Sequence, residues 1–416
     1  MPITIEEYKS ATIPNLSDKD IAYLKKDCFK YETLKPYEIW RLADSQTQIK
    51  NTSYAGVIQL ENERIHFSTK VKANLFYMLS SLKDEEAFCY DSDRLIEIKE
   101  GQNFFDILGR LFLNELEYIF KRGFYKKYVQ KEENIRFLKG KLLIGKQVQN
   151  DIKKNVRFAC SYGDLTFNNL ENQIILKAVT LLIPLIRFNE DIRWNLLRFS
   201  HLLKEEVSLE NIVPEDCNKI QFSRLNDYYA PIIQLSKVIL RNYFIRSTSA
   251  GESIGFNFIV NMNKVYEDFI TELIEEVTEE QSRDYVVERQ ERFDSLVRER
   301  RIVGRPDVIL RKKNTDKYPY IIDAKYKRED NNADYYQIIA YSLMIPSATD
   351  CYLIYPKHGN IETIPYTMDP RLFGHSRPEI RLHAIKIDLL LDENYNFQTY
   401  ISMMKKQLKD KLSAIL

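Results

Sequence analysis

Arg305-Pro306-Asp307 leads into one apolar strand, and Tyr320-Ile321-Ile322-Asp323-Ala324-Lys325 forms the next strand after a charged turn. Side chains alternate faces along a strand, so Asp323 and Lys325 point to one face and Ala324 points to the other. A buried carboxylate or ammonium costs several kcal/mol unless it is paired or binds a cation. Two carboxylates beside one lysine therefore predict a site for a divalent ion, an attacking water and a phosphate.

These residue types suit the hydrolysis of a phosphodiester by water. One or two Mg²⁺ ions can supply a deprotonated nucleophile and neutralise the developing charge. Mg²⁺ prefers oxygen ligands and keeps several waters, so one or two carboxylates suffice to hold it. Asp307 and Asp323 are the expected ligands, and the Ala324 carbonyl is a further one. We expect Lys325 to orient the water or hold the phosphate, with Glu267, at the border of an apolar helix stripe, as an additional catalytic candidate.

The helix predicted after the Asp-x-Lys strand carries more polar residues that suit a site. Asp334, Gln337 and Tyr341 are spaced i, i+3 and i+7, so they share one helix face. This spacing suits contacts from Gln337 and Tyr341 to Lys325 or to a DNA phosphate. Packing in the core is the alternative interpretation of both residues.

The same residues also have an ordinary structural interpretation. In that interpretation Asp307 caps a turn, and Asp323 and Lys325 form an edge-strand ion pair. The order of elements favours a site instead, because a helix bearing Glu267, the Pro-Asp strand, the Asp-x-Lys strand and a Gln/Tyr helix follow one another. This order resembles the core of the PD-(D/E)xK nucleases, which implies an α/β restriction-endonuclease-like domain that cuts DNA with Mg²⁺.

The chain as a whole is predicted to be a multi-domain α/β protein. Residues 1–100 read as a small α/β or β-rich domain that contains a hairpin near Gly56. Residues 101–250 read as a mostly helical middle region, and residues 251–416 as the endonuclease domain. The small, polar segment Arg246–Ser253 has the composition of a linker, so we expect the parts on either side to fold separately.

Charge and composition limit the protein class only in part. The 416 residues carry a formal net charge of +1. This value argues neither for nor against nucleic-acid binding, because a local basic patch is enough to bind nucleic acid. The stretches Lys121–Lys127 and Arg298–Arg301 are such patches, with a solvated surface as the alternative. Scattered cysteines without a C-x-x-C pair fit a reducing compartment. Without a signal-peptide pattern or an apolar run near the roughly 20 residues that span a bilayer, the sequence predicts a cytoplasmic protein with no membrane contact.

The segment Gly140–Gln147 resembles a phosphate-binding loop only superficially. That motif needs Ser or Thr after its lysine to hold Mg²⁺, and here Gln147 follows Lys146. The interior of the loop is Leu-Leu-Ile, which favours a strand. We therefore expect no nucleotide to be bound by this chain.

Taken together, these segments resemble the McrC family, the nuclease subunits of McrBC-type modification-dependent restriction systems. The resemblance covers nearly the whole chain and rests on the nuclease motifs together with segments upstream of them. The matching segments are Gly56–Leu60, Phe137–Leu142, Asn168–Ile174, Met262–Phe269, Arg305–Asp307, Ile322–Lys327 and Asp334–Tyr341. No second acidic residue adjoins Asp307, so the number of metal ions stays open.

The resemblance implies a division of labour between two proteins. A separate AAA+ GTPase of the McrB type forms a hexameric ring and recognises methylated double-stranded DNA. The McrC-like chain docks on that ring through its N-terminal part, stimulates GTP hydrolysis and cuts the DNA. Two alternatives stay open from the sequence: a non-catalytic adaptor that activates an NTPase, and a stand-alone repair or transposon nuclease.

Overall fold

The structure is a computed structural model, and part of the chain is described in it. The described residues are 3–14, 16–28, 35–42, 46–60, 63–71, 73–81, 104–187, 189–248, 251–281, 284–293, 303–358, 366–368, 379–390 and 397–412. The chain divides into two compact units. The first unit joins Met1–Lys99 to Phe244–Leu416, and the second unit is Glu100–Tyr243.

The N-terminal part of the first unit is rich in strands. Its elements are β1 (Ile3–Glu6), β2 (Ser10–Pro14), α1 (Asp18–Cys28), β3 (Tyr37–Arg41), β4 (Gln46–Asn51), β5 (Tyr54–Gln59), β6 (Arg64–Ser68) and α2 (Leu75–Ser80). Strands β5 and β6 pair antiparallel, with Val57 opposite His66, so the hairpin predicted from the sequence is confirmed. Strands β2, β4 and β3 form a separate small sheet.

The second unit combines helices with a small antiparallel sheet. Its elements are α3 (Phe104–Arg122), β7 (Lys127–Ile135), β8 (Lys141–Leu142), α4 (Ile144–Ile152), β9 (Phe158–Thr166), α5 (Leu170–Leu182), α6 (Glu190–Glu206) and α7 (Ala230–Asn242). The apolar stripe that predicts α3 packs inward, and the helix ends just before Gly123, as expected. The segment Gly140–Gln147 contributes the short strand β8 and the first turn of α4, so the strand favoured by its Leu-Leu-Ile interior is present in part.

The C-terminal part returns to the first unit. Its elements are β10 (Tyr243–Thr248), β11 (Gly251–Asn261), α8 (Met262–Gln281), β12 (Tyr285–Arg289), β13 (Val308–Lys312), β14 (Tyr320–Ala324), α9 (Asn332–Met344), β15 (Asp350–Pro356), β16 (Tyr366–Thr367), β17 (Arg381–Ile387) and α10 (Phe397–Lys411). Six of these strands form one mixed sheet in the order β12-β13-β14-β15-β17-β16. Strands β14, β15 and β17 run parallel, whereas β12, β13 and β14 pair antiparallel.

The predicted linker at Arg246–Ser253 is wrong, because its described residues lie in strands β10 and β11. Strand β11 pairs antiparallel with β5, with Phe258 opposite Val57, in a sheet of order β1-β6-β5-β11-β10. The small polar residues that begin β11 concealed a strand whose later residues Phe256 and Phe258 are buried. The predicted separation of residues 1–100 from 251–416 is therefore also corrected, since both contribute strands to one sheet.

Further contacts join the two sequence ends of the first unit. The Met262 amide at the start of α8 donates to the Ser53 carbonyl at 2.8 Å, and the Asn74 amide donates to the Leu389 carbonyl at 3.2 Å. The Tyr77 ring of α2 packs on the Tyr400 ring of α10, with 5.4 Å between centroids. Among the described helices, none is both long enough and apolar enough to cross a membrane.

Gly56 of β5 lies too close to the backbone of β11 to leave room for a side chain. Its φ is +135°, and a Cβ added there would lie 2.0 Å from the Phe258 carbonyl oxygen. We predict that Gly56→Ala lowers the unfolding temperature of the first unit clearly, because the strands must separate. Gly123→Ala is the matched control, since Gly123 also has a positive φ of +98° but meets nothing within 4 Å.

The control isolates the steric clash from backbone strain, which by itself costs about 1–3 kcal/mol. Calorimetry of both variants, with hydrogen exchange at β5 and β11, makes the comparison. Equal effects of the two substitutions on stability, with unchanged exchange at β5, would show that this close approach does not hold the sheet together.

Candidate active site

Strand pairing brings the two sequence-predicted aspartates side by side. Val308 of β13 lies opposite Ile322 of β14, so Asp307, one residue earlier, falls beside Asp323, one residue later. The backbone amide of Ala324 donates to Asp307 Oδ2 at 2.8 Å. The short antiparallel pairing of two apolar strands therefore fixes the positions of both carboxylates.

Asp323 and Lys325 face the same side of β14, as predicted from strand alternation. Lys325 Nζ lies 2.5 Å from Asp323 Oδ2, and the Asp323 side chain is only 1% exposed. Asp323 Oδ1 is buried and has no hydrogen-bond partner among the described residues. The Lys325 amide donates to the Ile354 carbonyl at 2.8 Å, which keeps the chain on the neighbouring strand β15 just past the end of β14.

The acidic groups of this cluster repel one another. Burial, together with repulsion from Asp323 and Glu267, raises the pKa of Asp307 to about 9. Burial opposes the charge of Lys325, but attraction by Asp323 and Asp307 outweighs it and raises the pKa of the ammonium. One lysine thus faces more negative charge than it can neutralise, which is the situation that a divalent cation relieves.

Glu267 reaches this cluster from helix α8. Its Oε1 accepts a hydrogen bond from Gln290 Nε2 at 2.8 Å, and its charge contributes to the raised pKa of Asp307. Gln290 follows strand β12, and its own amide donates to the Asp307 carbonyl at 3.0 Å. Sequence reasoning missed Gln290 because it belongs to no motif; a polar residue directly after a predicted strand was its only signal.

Gln337 and Tyr341, on the predicted polar face of α9, bond to each other and to the backbone before Pro306. Gln337 Nε2 donates to the Tyr341 hydroxyl at 2.7 Å, and that hydroxyl donates to the Arg305 carbonyl at 3.3 Å. These contacts hold the backbone just before Pro306. Tyr341 also lies near enough to Lys325 to influence its pKa.

Asp334, at the start of the same face of α9, makes contacts with other parts of the chain. It accepts from Lys327 Nζ at 2.5 Å and from the Tyr355 hydroxyl at 3.1 Å. It therefore ties α9 to the segment after Lys325 and to β15. The exposed Gln337 makes no contact with Lys325 among those described, so its predicted contact with DNA stays a prediction.

The residues present fit a divalent ion. Among the described residues, no three His, Cys, Asp or Glu side chains form a complete ligand set. The expected set of two carboxylates, the Ala324 carbonyl and water is smaller and suits Mg²⁺. The unpartnered Asp323 Oδ1 and the repulsion between Asp307 and Asp323 are features that a cation would compensate.

The remaining sequence-predicted sites have different outcomes. Lys146 Nζ pairs with Glu132 at 2.5 Å, and Gln147 Oε1 accepts from the Ala159 amide at 2.8 Å. Both side chains of the phosphate-loop look-alike therefore have structural contacts. The basic stretch Lys121–Lys127 spans the end of α3 and the start of β7, and its contact with phosphate stays a prediction. Arg298–Arg301 lies outside the described residues.

Comparisons with known proteins identify the class as a restriction-system component. The family model for the McrBC 5-methylcytosine restriction system component matches residues 49–356. The chain belongs to this family, and the resemblance seen in the sequence is confirmed. A search of curated proteins finds no match.

Two solved structures from Thermococcus gammatolerans are similar to this chain. One is a refined half-complex from a tetradecameric assembly of McrB AAA+ hexamers with bound McrC; it has a TM-score of 0.69 and 18% identity, and it covers 100% of both chains. The other is the cryo-EM structure of the McrBC complex, with a TM-score of 0.47 and 19% identity over 66% of this chain and 87% of that chain. At this identity the first likeness shows a shared fold.

The raised pKa of Asp307 predicts a pH-dependent cost in the metal-free protein. A carboxyl whose pKa is higher in the folded state stabilises the fold only when protonated, so this stability is lost as pH rises from about 4 to 9. Asp307→Asn keeps an oxygen acceptor for the Ala324 amide and removes the charge. We predict that it raises the unfolding temperature in EDTA by about 2–4 °C at pH 8.5 and by less at pH 5.

The control is Asp316→Asn, which removes an exposed carboxylate from the turn between β13 and β14. Thermal unfolding at both pH values makes the measurement. If Asp307→Asn destabilises the chain equally at pH 5 and pH 8.5, the repulsion inferred for this cluster is absent.

Proposed function

We propose that this chain is the Mg²⁺-dependent DNA endonuclease subunit of a McrBC-like modification-dependent restriction system. The observation that carries the proposal is the convergence of Asp307, Asp323 and Lys325 where β13 pairs with β14. The mixed sheet, with β12, β13 and β14 antiparallel and α8 and α9 alongside, supports a PD-(D/E)xK-type catalytic domain. Family membership supports the restriction role.

Each residue of the cluster has a role that follows from its position. Asp307 and Asp323 would hold Mg²⁺ with the Ala324 carbonyl, and the bound ion would supply a water of lowered pKa and neutralise charge on the phosphate. With a cation bound, Asp323 would give up its contact with Lys325. Lys325, kept charged by the acidic cluster, would then be free to orient the attacking water or hold a phosphate oxygen. Glu267 supplies a further carboxylate beside Asp307.

The proposed partner is a separate AAA+ GTPase of the McrB type. The structure that resembles this chain over its full length is described as McrB AAA+ hexamers with bound McrC. The structural contacts of Lys146 and Gln147 support a chain that binds no nucleotide itself. The N-terminal part is the proposed docking region, on the basis of family resemblance.

The proposed substrate is methylated double-stranded DNA in the cytoplasm. The family description names 5-methylcytosine, which supports recognition of a modified base by the system. A non-catalytic adaptor is the alternative function. It is disfavoured because a chain without catalysis has no use for repelling carboxylates that raise the pKa of Asp307 and weaken the fold.

Removal of either member of the Asp-x-Lys pair tests the proposal. Asp323→Asn and Lys325→Met should each lower cleavage of methylated DNA by the full complex about 10³-fold or more, because a metal ligand and a charged group are lost from the transition state. EDTA should do the same to wild type. Both variants should still stimulate the partner's GTP hydrolysis, since neither residue lies in the proposed docking region.

Asp316→Asn and Lys313→Met are matched controls that remove the same groups from the exposed β13–β14 turn. They should cut at the wild-type rate. Full cleavage by Asp323→Asn would refute the site. Loss of both GTPase stimulation and cleavage in these variants would point to the adaptor role instead.

A further inference from the structure

Gln290 connects two acidic residues that come from different elements. Its side-chain Nε2 donates to Glu267 Oε1 on α8 at 2.8 Å, and its backbone amide donates to the carbonyl of Asp307 at 3.0 Å. We propose that Gln290 is a positioning residue that sets Glu267 and Asp307 at the separation the metal site requires. The proposal rests on the proposed function and adds a residue that no motif contains.

The backbone of Gln290 is built for this double contact. Its φ is +47°, in the left-handed region that non-glycine residues enter only rarely. This turn sends the amide toward Asp307 and leaves the Gln290 carbonyl to accept from Arg305 Nε at 3.2 Å. Such backbone strain persists where the surrounding contacts hold it, and it is concentrated at functional sites.

The residue before Gln290 fixes this turn to helix α8. Arg289 pairs with Glu272 at 2.9 Å and also with Glu275, which lie five and eight residues beyond Glu267 on the same helix. Arg289 and Gln290 together therefore hold the end of β12 against helix α8, with the contact to Glu267 made by Gln290. These contacts set the distance between helix α8 and the segment that carries Asp307.

The amide side chain suits the task because it is a neutral donor. A lysine or arginine at this position would neutralise Glu267, and a carboxylate would repel it. An amide orients one oxygen of Glu267 and leaves its negative charge available to a cation or a water. Outer contacts of this kind change metal affinity or activity by about 10–100-fold when they are removed.

The segment that precedes Asp307 is held from the other side as well. Tyr341 donates to the Arg305 carbonyl, while Arg305 itself donates to Gln290. Asp307 is thus positioned by α9 through Tyr341 and by α8 through Gln290. The Gln290 route also includes a hydrogen bond to a second acidic residue, Glu267.

Mn²⁺ binding to the purified full-length chain, measured by calorimetry and by electron paramagnetic resonance, tests the proposal without relying on activity. Gln290→Met keeps side-chain length but removes the donor, and we expect Mn²⁺ to bind about 10-fold or more weakly. Gln290→Gly, which favours the left-handed backbone, should weaken binding similarly. Gln398→Met, an exposed substitution on α10, is the control and should bind like wild type.

A double-mutant cycle with Glu267→Ala tests the route of the effect. If Gln290 acts through Glu267, Gln290→Met should weaken Mn²⁺ binding far less in the Glu267→Ala background than in wild type. Cleavage by the complex should show a raised Mg²⁺ requirement for Gln290→Met with the KM for DNA unchanged.

The outcomes separate this inference from the proposed function. Wild-type affinity for Mn²⁺ in both Gln290 variants, with binding lost in Asp323→Asn, overturns the inference alone. An equal loss from Gln290→Met with and without Glu267 also overturns it, because the effect then bypasses Glu267. Failure of wild type to bind Mn²⁺ removes the proposed function and the inference with it.

Discussion

The electrostatic repulsion between Asp307 and Asp323 is the constraint on which the rest of the site depends. The pairing of β13 with β14 places these carboxylates together, and because Asp323 is buried and Asp307 half-buried, little water is available to screen their charges. Without metal, the protein compensates with Lys325 on Asp323 and with a proton on Asp307, whose pKa rises to about 9. Each compensation is one that a divalent cation can replace. The fully ionised cluster is therefore costly to the fold, and under the proposed function this is the form that would hold the metal ion.

The residues just after Lys325 make the contacts that offset this loss of stability. Tyr326 lies under Lys70, whose ammonium is 4.4 Å from the ring centroid, and Lys327 pairs with Asp334 of α9. Arg328 donates to Glu6 at 2.7 Å and to the Lys70 carbonyl at 2.8 Å. The three residues after Lys325 are therefore anchored in turn to the N-terminal part, to α9 and to the N-terminal part again. The N-terminal part therefore anchors the segment that follows β14, in addition to the docking role proposed for it.

Local patterns in the sequence predicted the convergence of the candidate site residues, but they did not predict the domain arrangement. Strand alternation gave the shared face of Asp323 and Lys325, because it depends only on neighbouring residues. The pairing of β5 with β11 could not be predicted, since it joins residues about 200 positions apart in the sequence. The polar start of β11 also has the composition of a linker. Gln290 was missed because its role comes from a positive φ and from two partners that are distant in sequence.

The most direct test of the site is the position of a bound cation. Crystals of the chain soaked in Mn²⁺ and measured by anomalous diffraction should show a peak between the carboxylates of Asp307 and Asp323, beside the Ala324 carbonyl. Lys325 should have moved off Asp323 Oδ2 in the same crystals. Saturating Mn²⁺ with no peak at this position, and with Lys325 still paired to Asp323, would contradict the assignment of this cluster as a metal-dependent active site.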